Sequence, residues 1–333
     1  MNILLIQLRR IGDLVLTTPA IAAVREKFPR ANLSLVVSSA TRELLPAIPG
    51  IDRTFVIRGK LSARAWFDAA RRKFNYCLDF TRNDRSAFIT LLSGAQKKIT
   101  ADYPRPRGQL QAKSYNVLVD LNVGLMHTVD YHLGLLEPLG IREPSRKLQL
   151  EIPARALQHA TQLLGDNNHI VIHPGSARAE KFWDASRWAT VIGLLNERGL
   201  KCAITGGRAA LEQDHIAQIR KQTRVSFLDL SGKIDLLTLA AVIKHARLLL
   251  TIDSAPVHLA AATQTPQIAL FGPTNPFHWR PRFAPAIVLQ AGEVEPLTEF
   301  SPEQKPAPMN LISTQHVIDA MEALLAAPRV ATV

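Results

Sequence analysis

The chain has 333 residues, more than twice the ~150 of an average domain, so two domains are expected. Hydrophobic residues make up 47% and charged residues 20%, a globular composition that excludes a disordered chain. Two cysteines are too few for a disulfide framework or a cysteine-rich zinc site. No apolar run approaches the ~20 residues of a transmembrane helix, and no signal peptide is evident. We therefore expect a soluble, cytoplasmic protein.

The positive charge of the protein is concentrated in its first half. The net charge is +12, and residues 1–155 hold 24 basic and 13 acidic side chains, whereas residues 156–333 hold 16 and 15. A positive field of this kind attracts polyanions such as nucleic acid, acidic lipid or a phosphorylated glycan. A solubilising surface without a specific partner is the alternative interpretation.

The first half begins as an α/β domain. An apolar run over Asn2–Leu8 predicts a buried parallel strand, a turn follows at Arg9–Gly12, and the next segment predicts a helix over about Leu14–Lys27. The apolar run Leu33–Val37 then completes a strand–helix–strand unit, which indicates a doubly wound sheet. The other elements expected in this half are strands at Thr54–Ile57 and Tyr76–Phe80, a long surface loop at Lys97–Lys113, a helix over about His127–Leu139 and a linker between Pro144 and Pro153.

The second half restarts the same alternation. Its expected elements are strands at His169–His173, Lys201–Thr205, Val225–Leu228, Leu248–Ile252 and Gln267–Phe271, and helices at about Ala209–Thr223, Leu236–His245, Ala255–Thr263 and Thr314–Leu325. We therefore expect two Rossmann-like domains, residues 1–155 and 156–333, facing across a cleft, with the last helix packing back toward the first domain. Ligands of open α/β sheets bind beyond the carboxyl ends of the strands, so the site is expected there.

The turn after the first strand carries a candidate catalytic carboxylate. Gly12 permits a tight turn, and Asp13 follows at the start of the helix, where it either caps the helix or accepts a proton from a substrate. The turn is not Gly-x-Gly-x-x-Gly, which argues against a dinucleotide site in this half.

Two strand ends of the second half carry groups suited to phosphate. Ser176 and Lys181 follow His173-Pro174-Gly175, where a hydroxyl, backbone N–H groups and a cation suit a diphosphate, although a turn with a solvated lysine is the alternative. Asp253 precedes a helix with Pro256 in its first turn, whose positive end also favours a diphosphate. His258 either contacts a phosphate or is a satisfied buried histidine.

Other chemistries lack their motifs in this sequence. We find no Gly-x-x-x-x-Gly-Lys-Ser/Thr loop, no His-Glu-x-x-His and no Gly-x-Ser-x-Gly. The histidines lack metal-ligand spacing, so we expect no protein-bound metal and no resident cofactor. Aromatic residues make up 6% and do not interleave with the basic residues, so we expect no nucleic-acid partner.

Together these segments resemble glycosyltransferase family 9, the ADP-heptose:lipopolysaccharide heptosyltransferases, over nearly the whole chain. The resemblance is carried by Gly12-Asp13 with Leu16-Thr17-Thr18-Pro19-Ala20, by His127 with Leu133 to Gly140, by His173-Pro174-Gly175-Ser176 with Lys181 and Trp183, by Asp253 through Ala262, and by Phe271-Gly272-Pro273-Thr274. Leu-Thr-Thr-Pro after Gly-Asp is most similar to the branch that adds the third, side-branch heptose.

The resemblance implies a GT-B fold in which the N-terminal domain binds the acceptor and the C-terminal domain binds the nucleotide sugar. It also implies inverting transfer without a metal ion, with ADP-heptose as a substrate rather than a cofactor. By analogy Asp13 is the general base, Ser176 and Lys181 hold the diphosphate, and Asp253 positions the sugar. The remaining donor contacts implied are Ser254, Ala255, His258, Glu212 for the ribose and Ile234 for the adenine.

The resemblance also explains the positive charge of residues 1–155, because the inner core of lipopolysaccharide is anionic. The candidate acceptor contacts, chosen by their position in expected loops, are Arg9, Arg10, Arg58, Lys60, Arg105 and Arg107. Peripheral contact with the cytoplasmic face of the inner membrane is also expected.

Ala255 stands where the family usually has glycine. If the backbone there requires φ > 0 or a close approach to phosphate, the methyl group weakens donor binding. Ala255 also supports the alternative of a non-catalytic relative that binds nucleotide sugar. A GT-B glycosyltransferase with another donor or acceptor is the other alternative, and a nucleic-acid-binding protein has only the basic half in its favour.

Overall fold

A computed structural model describes residues 1–58, 73–102, 108–166 and 168–326. The chain divides into two compact units, Met1–Glu151 and Ile152–Val333. The division lies four residues before the one expected from the sequence. Each unit contains a six-stranded parallel sheet, and the described connections between successive strands contain α- or 3₁₀-helical segments, which confirms the predicted α/β class.

The N-terminal unit is built on a sheet of order β3-β2-β1-β4-β5-β6, in which all neighbouring strands are parallel. Its strands are β1 (Asn2–Gln7), β2 (Asn32–Ser38), β3 (Arg53–Ile57), β4 (Tyr76–Asp79), β5 (Lys97–Ala101) and β6 (Val117–Val119). Its described α-helices are α1 (Ile11–Lys27), α2 (Asp84–Leu92), α3 (Gly108–Ser114) and α4 (Thr128–Gly134). The strand order reverses between β1 and β4, so the carboxyl ends of these two strands border the switch point.

Helix α1 continues through an internal proline because a neighbouring hydroxyl replaces the lost hydrogen bond. Pro19 has no N–H group to donate to the Val15 carbonyl one turn earlier. The Thr18 hydroxyl donates to that carbonyl instead, at 2.7 Å. The helix begins at Ile11, three residues earlier than expected, which places Asp13 in its first turn.

The prediction of a long surface loop at Lys97–Lys113 is wrong for the described residues of that segment. Residues Lys97–Ala101 form β5, and Gly108–Ser114 form α3. The basic, proline-rich composition of this stretch is typical of a loop, but Ile99, Thr100 and Ala101 are fully buried within the sheet. The expected helix His127–Leu139 is also shorter: α4 ends at Gly134, and a short 3₁₀ segment, Glu137–Leu139, precedes left-handed Gly140.

The C-terminal unit repeats this architecture with a sheet of order β12-β11-β10-β7-β8-β9, again parallel throughout. Its strands are β7 (His169–His173), β8 (Lys201–Ile204), β9 (Leu228–Asp229), β10 (Leu248–Ile252), β11 (Gln267–Phe271) and β12 (Ala286–Gln290). Its helices are α5 (Ala154–Leu164), α6 (Ala185–Glu197), α7 (Ala210–Gln222), α8 (Leu236–His245), α9 (Ala255–Thr263) and α10 (Thr314–Ala326). The switch point of this sheet lies between β7 and β10.

The core of the C-terminal unit explains the position of its last helix. Val317 and Met321 of α10 are fully buried in one apolar cluster with Trp183 and Trp188, whose rings meet edge to face with centroids 5.0 Å apart. The Trp183 indole also donates to the Ile312 carbonyl at 2.9 Å, which fixes the chain just before α10. Among the described residues, no helix has the length and apolar character needed to cross a membrane.

Candidate functional site

The carboxyl end of β1 presents Asp13 in the first turn of α1. The Arg10 backbone N–H donates to the Asp13 carboxylate at 3.2 Å, so Asp13 caps the helix as one of the two interpretations predicted. Burial raises the pKa of Asp13 above its usual value, while the positive charges of Arg9 and Arg10 and the Arg10 N–H oppose that rise. A carboxyl group with a raised pKa is a better proton acceptor than an exposed one, so capping and proton transfer are compatible.

A buried polar network fixes the turn that carries Asp13. The Gln7 amide donates to the Thr17 hydroxyl at 2.9 Å, and that hydroxyl donates to the Asp13 carbonyl at 2.7 Å. His132 Nδ1 lies 3.1 Å from the Leu16 carbonyl oxygen, and burial lowers the pKa of His132 to about 4, so its ring is neutral at pH 7. These contacts hold the first turn of α1 against β1.

Arg9 is anchored rather than fully extended into solvent. Its Nε and Nη2 groups both donate to the Thr81 carbonyl, at 3.1 and 3.0 Å, and its backbone N–H donates to the Gln7 side-chain oxygen at 3.2 Å. The guanidinium group is therefore held near Asp13, where its charge favours the ionised carboxylate.

In the C-terminal unit, the ends of β7 and β10 bring Lys181 and Asp253 together. Lys181 is 7% exposed and Asp253 is 8% exposed. The Lys181 ammonium donates to the Asp253 carboxylate, and it lies 3.3 Å from the Asp253 carbonyl oxygen. The two residues are adjacent because β7 and β10 are neighbouring strands at the switch point.

The start of α9 lies directly after Asp253 and keeps backbone N–H groups without a side-chain cap. The Ser254 hydroxyl donates to the Ile252 carbonyl at 3.2 Å and does not cap the helix. Ala255 is the first residue of the helix, and its φ is not positive. The methyl group of Ala255 therefore causes no left-handed strain, and the condition φ > 0 considered for this position is not met.

His258 is buried in the same region and is neutral at pH 7. Its pKa is lowered to about 4, mainly by burial; the negative charge of Asp253 opposes this shift, and the positive charge of Lys181 adds to it. A neutral imidazole contributes no net charge toward a phosphate, so Lys181 carries the positive charge beside Asp253.

The Glu212 carboxylate occupies a space left by three glycines. It accepts a hydrogen bond from the Gly207 N–H at 2.8 Å. A methyl group added at Gly207 would lie 2.8 Å from Glu212 Oε1, and one added at Gly175 would be still closer to Oε2; Gly206 faces the same carboxylate at a longer distance. The absence of side chains at these positions lets Glu212 reach the ends of β7 and β8.

The structure places the other predicted residues as follows. Ile234 is partly buried just before α8, and Ser176 is partly buried after β7. Arg10 and Arg58 are exposed after β1 and β3 respectively. Lys60, Arg105 and Arg107 lie outside the described residues.

No individual role is predicted from the sequence for Gln7, or for His173 of the His173-Pro174-Gly175-Ser176 motif. Gln7 ends β1 and links Arg9 to Thr17, and buried His173 ends β7 with its Nδ1 atom 3.0 Å from the Thr205 hydroxyl and its Nε2 atom 3.9 Å from Glu212 Oε2. A polar residue at the last position of a mostly apolar strand is the signal that marks both. Within the described ranges, no three histidine, cysteine, aspartate or glutamate side chains form a group able to hold a metal ion.

Comparison with known proteins identifies relatives along nearly the whole chain. The model of glycosyltransferase family 9 (heptosyltransferase) matches residues 64–308. Lipopolysaccharide heptosyltransferase 3 of Escherichia coli is 28% identical over 335 residues, which cover 94% of this chain and 96% of that protein.

Solved structures of similar fold cover both units. The family 9 glycosyl transferase from Veillonella parvula DSM 2008 superposes with a TM-score of 0.84 at 26% identity, over 97% of each chain. The E. coli ADP-heptose lps heptosyltransferase II superposes with a TM-score of 0.80 at 19% identity, over 98% of each chain. These similarities confirm the expected GT-B fold class.

Proposed function

We propose that this chain, which belongs to glycosyltransferase family 9 and is a heptosyltransferase of lipopolysaccharide core biosynthesis, transfers a heptose from ADP-heptose to the inner core with inversion and without a metal ion. The finer assignment, addition of the third, side-branch heptose, is supported by the name of the E. coli relative that is 28% identical over 94% of the chain. The observation that carries the proposal is the buried pairing of Lys181 with Asp253 at the switch point of the C-terminal sheet.

The donor is proposed to bind at the carboxyl edge of the C-terminal sheet. Lys181, the Ser176 hydroxyl and the uncapped start of α9 would hold the diphosphate, because a cation and a helix N-terminus both stabilise phosphate charge. Asp253 would accept hydrogen bonds from the sugar hydroxyls, and Glu212 those of the ribose. The adenine contact of Ile234, and donor contacts of Ser254, Ala255 and His258, remain proposals by family analogy.

The chemical step needs one base and one stabilised leaving group. In the proposed reaction an acceptor hydroxyl oxygen attacks the anomeric carbon, its proton passes to the Asp13 carboxylate, and a new glycosidic C–O bond forms. The bond between the anomeric carbon and the β-phosphate oxygen breaks, and its electron pair stays with ADP. Attack opposite the leaving group inverts the anomeric centre. Lys181 and the α9 dipole would stabilise the charge on ADP, which is why we expect no divalent ion to be required.

The acceptor is proposed to bind the basic N-terminal unit. Arg10 and Arg58 are exposed at the carboxyl edge of that sheet, and Arg9 offers the part of its guanidinium group not used by Thr81. Lys60, Arg105 and Arg107 contribute to the same net charge in the sequence. Since an inner-core acceptor is anionic and lipid-anchored, we also propose that the protein acts peripherally at the cytoplasmic face of the inner membrane.

A transfer assay tests the proposal directly. Purified protein is incubated with ADP-heptose and with lipopolysaccharide from a strain lacking this gene, with and without a chelator, and the product is analysed by mass spectrometry. We expect a gain of one heptose mass, unchanged by the chelator, and an inverted anomeric configuration by NMR. Transfer from another nucleotide sugar in preference to ADP-heptose would contradict the donor assignment, and no transfer at all to an intact acceptor would favour a relative that only binds.

A further inference from the structure

The ammonium group of Lys181 already has an anionic partner within the protein. Lys181 and Asp253 are both more than nine-tenths buried, and the ammonium donates to the Asp253 carboxylate with the Asp253 carbonyl oxygen also within 3.3 Å. A buried ion pair of this kind is strong only while both charges are present, because neither charge is well solvated alone. The cation proposed to bind the diphosphate is therefore neutralised by Asp253.

Among the described residues, Lys181 is the cation that forms an ion pair with Asp253. His258, which lies beside the pair, is neutral at pH 7 because burial lowers its pKa to about 4. Any anion that binds Lys181 must share it with, or take it from, the Asp253 carboxylate.

On the basis of the donor site in the proposed function, we infer that Asp253 competes with the bound diphosphate for Lys181 and thereby promotes release of the nucleoside diphosphate product. While the donor is intact, the sugar hydroxyls donate hydrogen bonds to Asp253 and occupy its oxygens. After transfer the sugar has left with the acceptor, and Asp253 loses those donors.

The loss of the sugar changes what holds the diphosphate. The freed Asp253 carboxylate pairs with Lys181 again, so the ammonium contributes less to the remaining ADP. The site consequently holds ADP-sugar more tightly than ADP, although both carry the same diphosphate. Asp253 thus acts in specificity and product release as well as in sugar positioning.

The test measures ADP binding rather than transfer. ADP is titrated calorimetrically into the wild type, into Asp253→Asn and into the matched control Glu180→Gln. Glu180 precedes Lys181 in the chain, but its side chain is 53% exposed and accepts from Arg178 Nε at 2.6 Å. We expect Asp253→Asn to bind ADP about tenfold more tightly, because Lys181 loses its anionic partner in the buried site and pairs with the diphosphate instead. We expect Glu180→Gln to change ADP affinity by less than about twofold, because its exposed charge is screened.

A second background separates competition for Lys181 from a general loss of negative charge. In Lys181→Met protein, adding Asp253→Asn should leave ADP affinity unchanged, because the cation for which Asp253 competes is missing. Thermal unfolding checks the fold of each variant: Asp253→Asn should have a lower Tm than the wild type without ADP and a larger rise of Tm with ADP. If asparagine is not accommodated, Asp253→Ala removes the same charge and is measured in the same way.

Each outcome decides between the inference and the proposed function. Tighter ADP binding by Asp253→Asn that disappears in the Lys181→Met background supports the inference. Equal or weaker ADP binding by folded Asp253→Asn overturns the inference and leaves the donor assignment intact. If neither the wild type nor Asp253→Asn binds ADP, the ADP donor of the proposed function is wrong, and the inference falls with it.

Discussion

Gly175→Ala is the perturbation that tests the Glu212 site most sharply. The added methyl group would lie under 3.0 Å from Glu212 Oε2 and 3.0 Å from its Cδ and Cγ atoms, so the carboxylate must move away. That movement breaks the 2.8 Å hydrogen bond from the Gly207 N–H. The displaced carboxylate would also lose the hydrogen bond proposed from the ribose. A hydrogen bond to a charged acceptor contributes about 1.5–3 kcal/mol, which corresponds to roughly a 10- to 150-fold change in affinity.

The measurement compares Gly175→Ala with a glycine substitution that meets no neighbour. We expect Gly175→Ala to raise the KM for ADP-heptose and the Kd for ADP by about 10- to 150-fold, the cost of the lost hydrogen bond. Gly193→Ala in α6 is the control, because nothing lies within 4 Å of its added methyl group and a helix tolerates alanine better than glycine. If folded Gly175→Ala binds the donor and ADP as the wild type does, Glu212 has no part in donor binding.

Three further predictions follow from the described contacts. Burial raises the pKa of Asp13, and ionised Asp13 is the active form, so kcat/KM should fall as the pH decreases through a value above 3.8. Arg9→Gln should move that fall to higher pH, because the charge of Arg9 lowers the pKa of Asp13. A pH profile unchanged by Arg9→Gln would contradict this. Ala255→Gly should lower the free energy of unfolding by up to about 1 kcal/mol, because glycine is less favourable than alanine in a helix. It should leave the KM for the donor unchanged, because the φ of Ala255 is not positive. A lower KM would show that the methyl group does obstruct the donor. Tyr115→Phe should lower the free energy of unfolding by about 1–3 kcal/mol in denaturant titration, because the buried Asp79 carboxylate loses the hydroxyl that donates to it at 2.7 Å. An unchanged free energy of unfolding would mean that water replaces that hydroxyl.

The strands that position the sites are predictable because they are buried on both faces. A central parallel strand is covered on both faces, so β1, β7 and β10 are mostly apolar, and polar residues follow each strand. This pattern and the family resemblance together predict Asp13, Lys181 and Asp253 as site residues. Their placement at strand ends follows from local sequence.

Strands away from the switch points are less predictable, because pairing with neighbouring strands decides whether they form. Strand β5 begins with Lys97 and Lys98, which read as loop residues, yet the strand lies between β4 and β6 and takes its hydrogen bonds from both. Strand β9 is reduced to Leu228–Asp229, although the apolar run suggests a strand from Val225. Composition alone does not predict these strands, because pairing with neighbouring strands determines where they form and how long they are.

Contacts inside the candidate sites depend on the same long-range pairing. Lys181 and Asp253 are 72 residues apart, so their ion pair follows only once β7 and β10 are neighbours. The three-glycine space around Glu212 is likewise formed by two loops and a helix start. Sequence reasoning therefore finds the residues but not their partners, and the competition inferred for Lys181 needs the structure.

The most direct test of the account is the effect of Asp13→Asn on heptose transfer and on ADP binding, measured side by side. Asparagine keeps an oxygen that accepts from the Arg10 N–H but cannot take a proton from the acceptor hydroxyl. We expect transfer to fall by about 10²–10⁴-fold while the Kd for ADP stays the same, and the exposed control Asp120→Asn to keep full activity. Full transfer by folded Asp13→Asn would show that another group removes the proton and would contradict the mechanism.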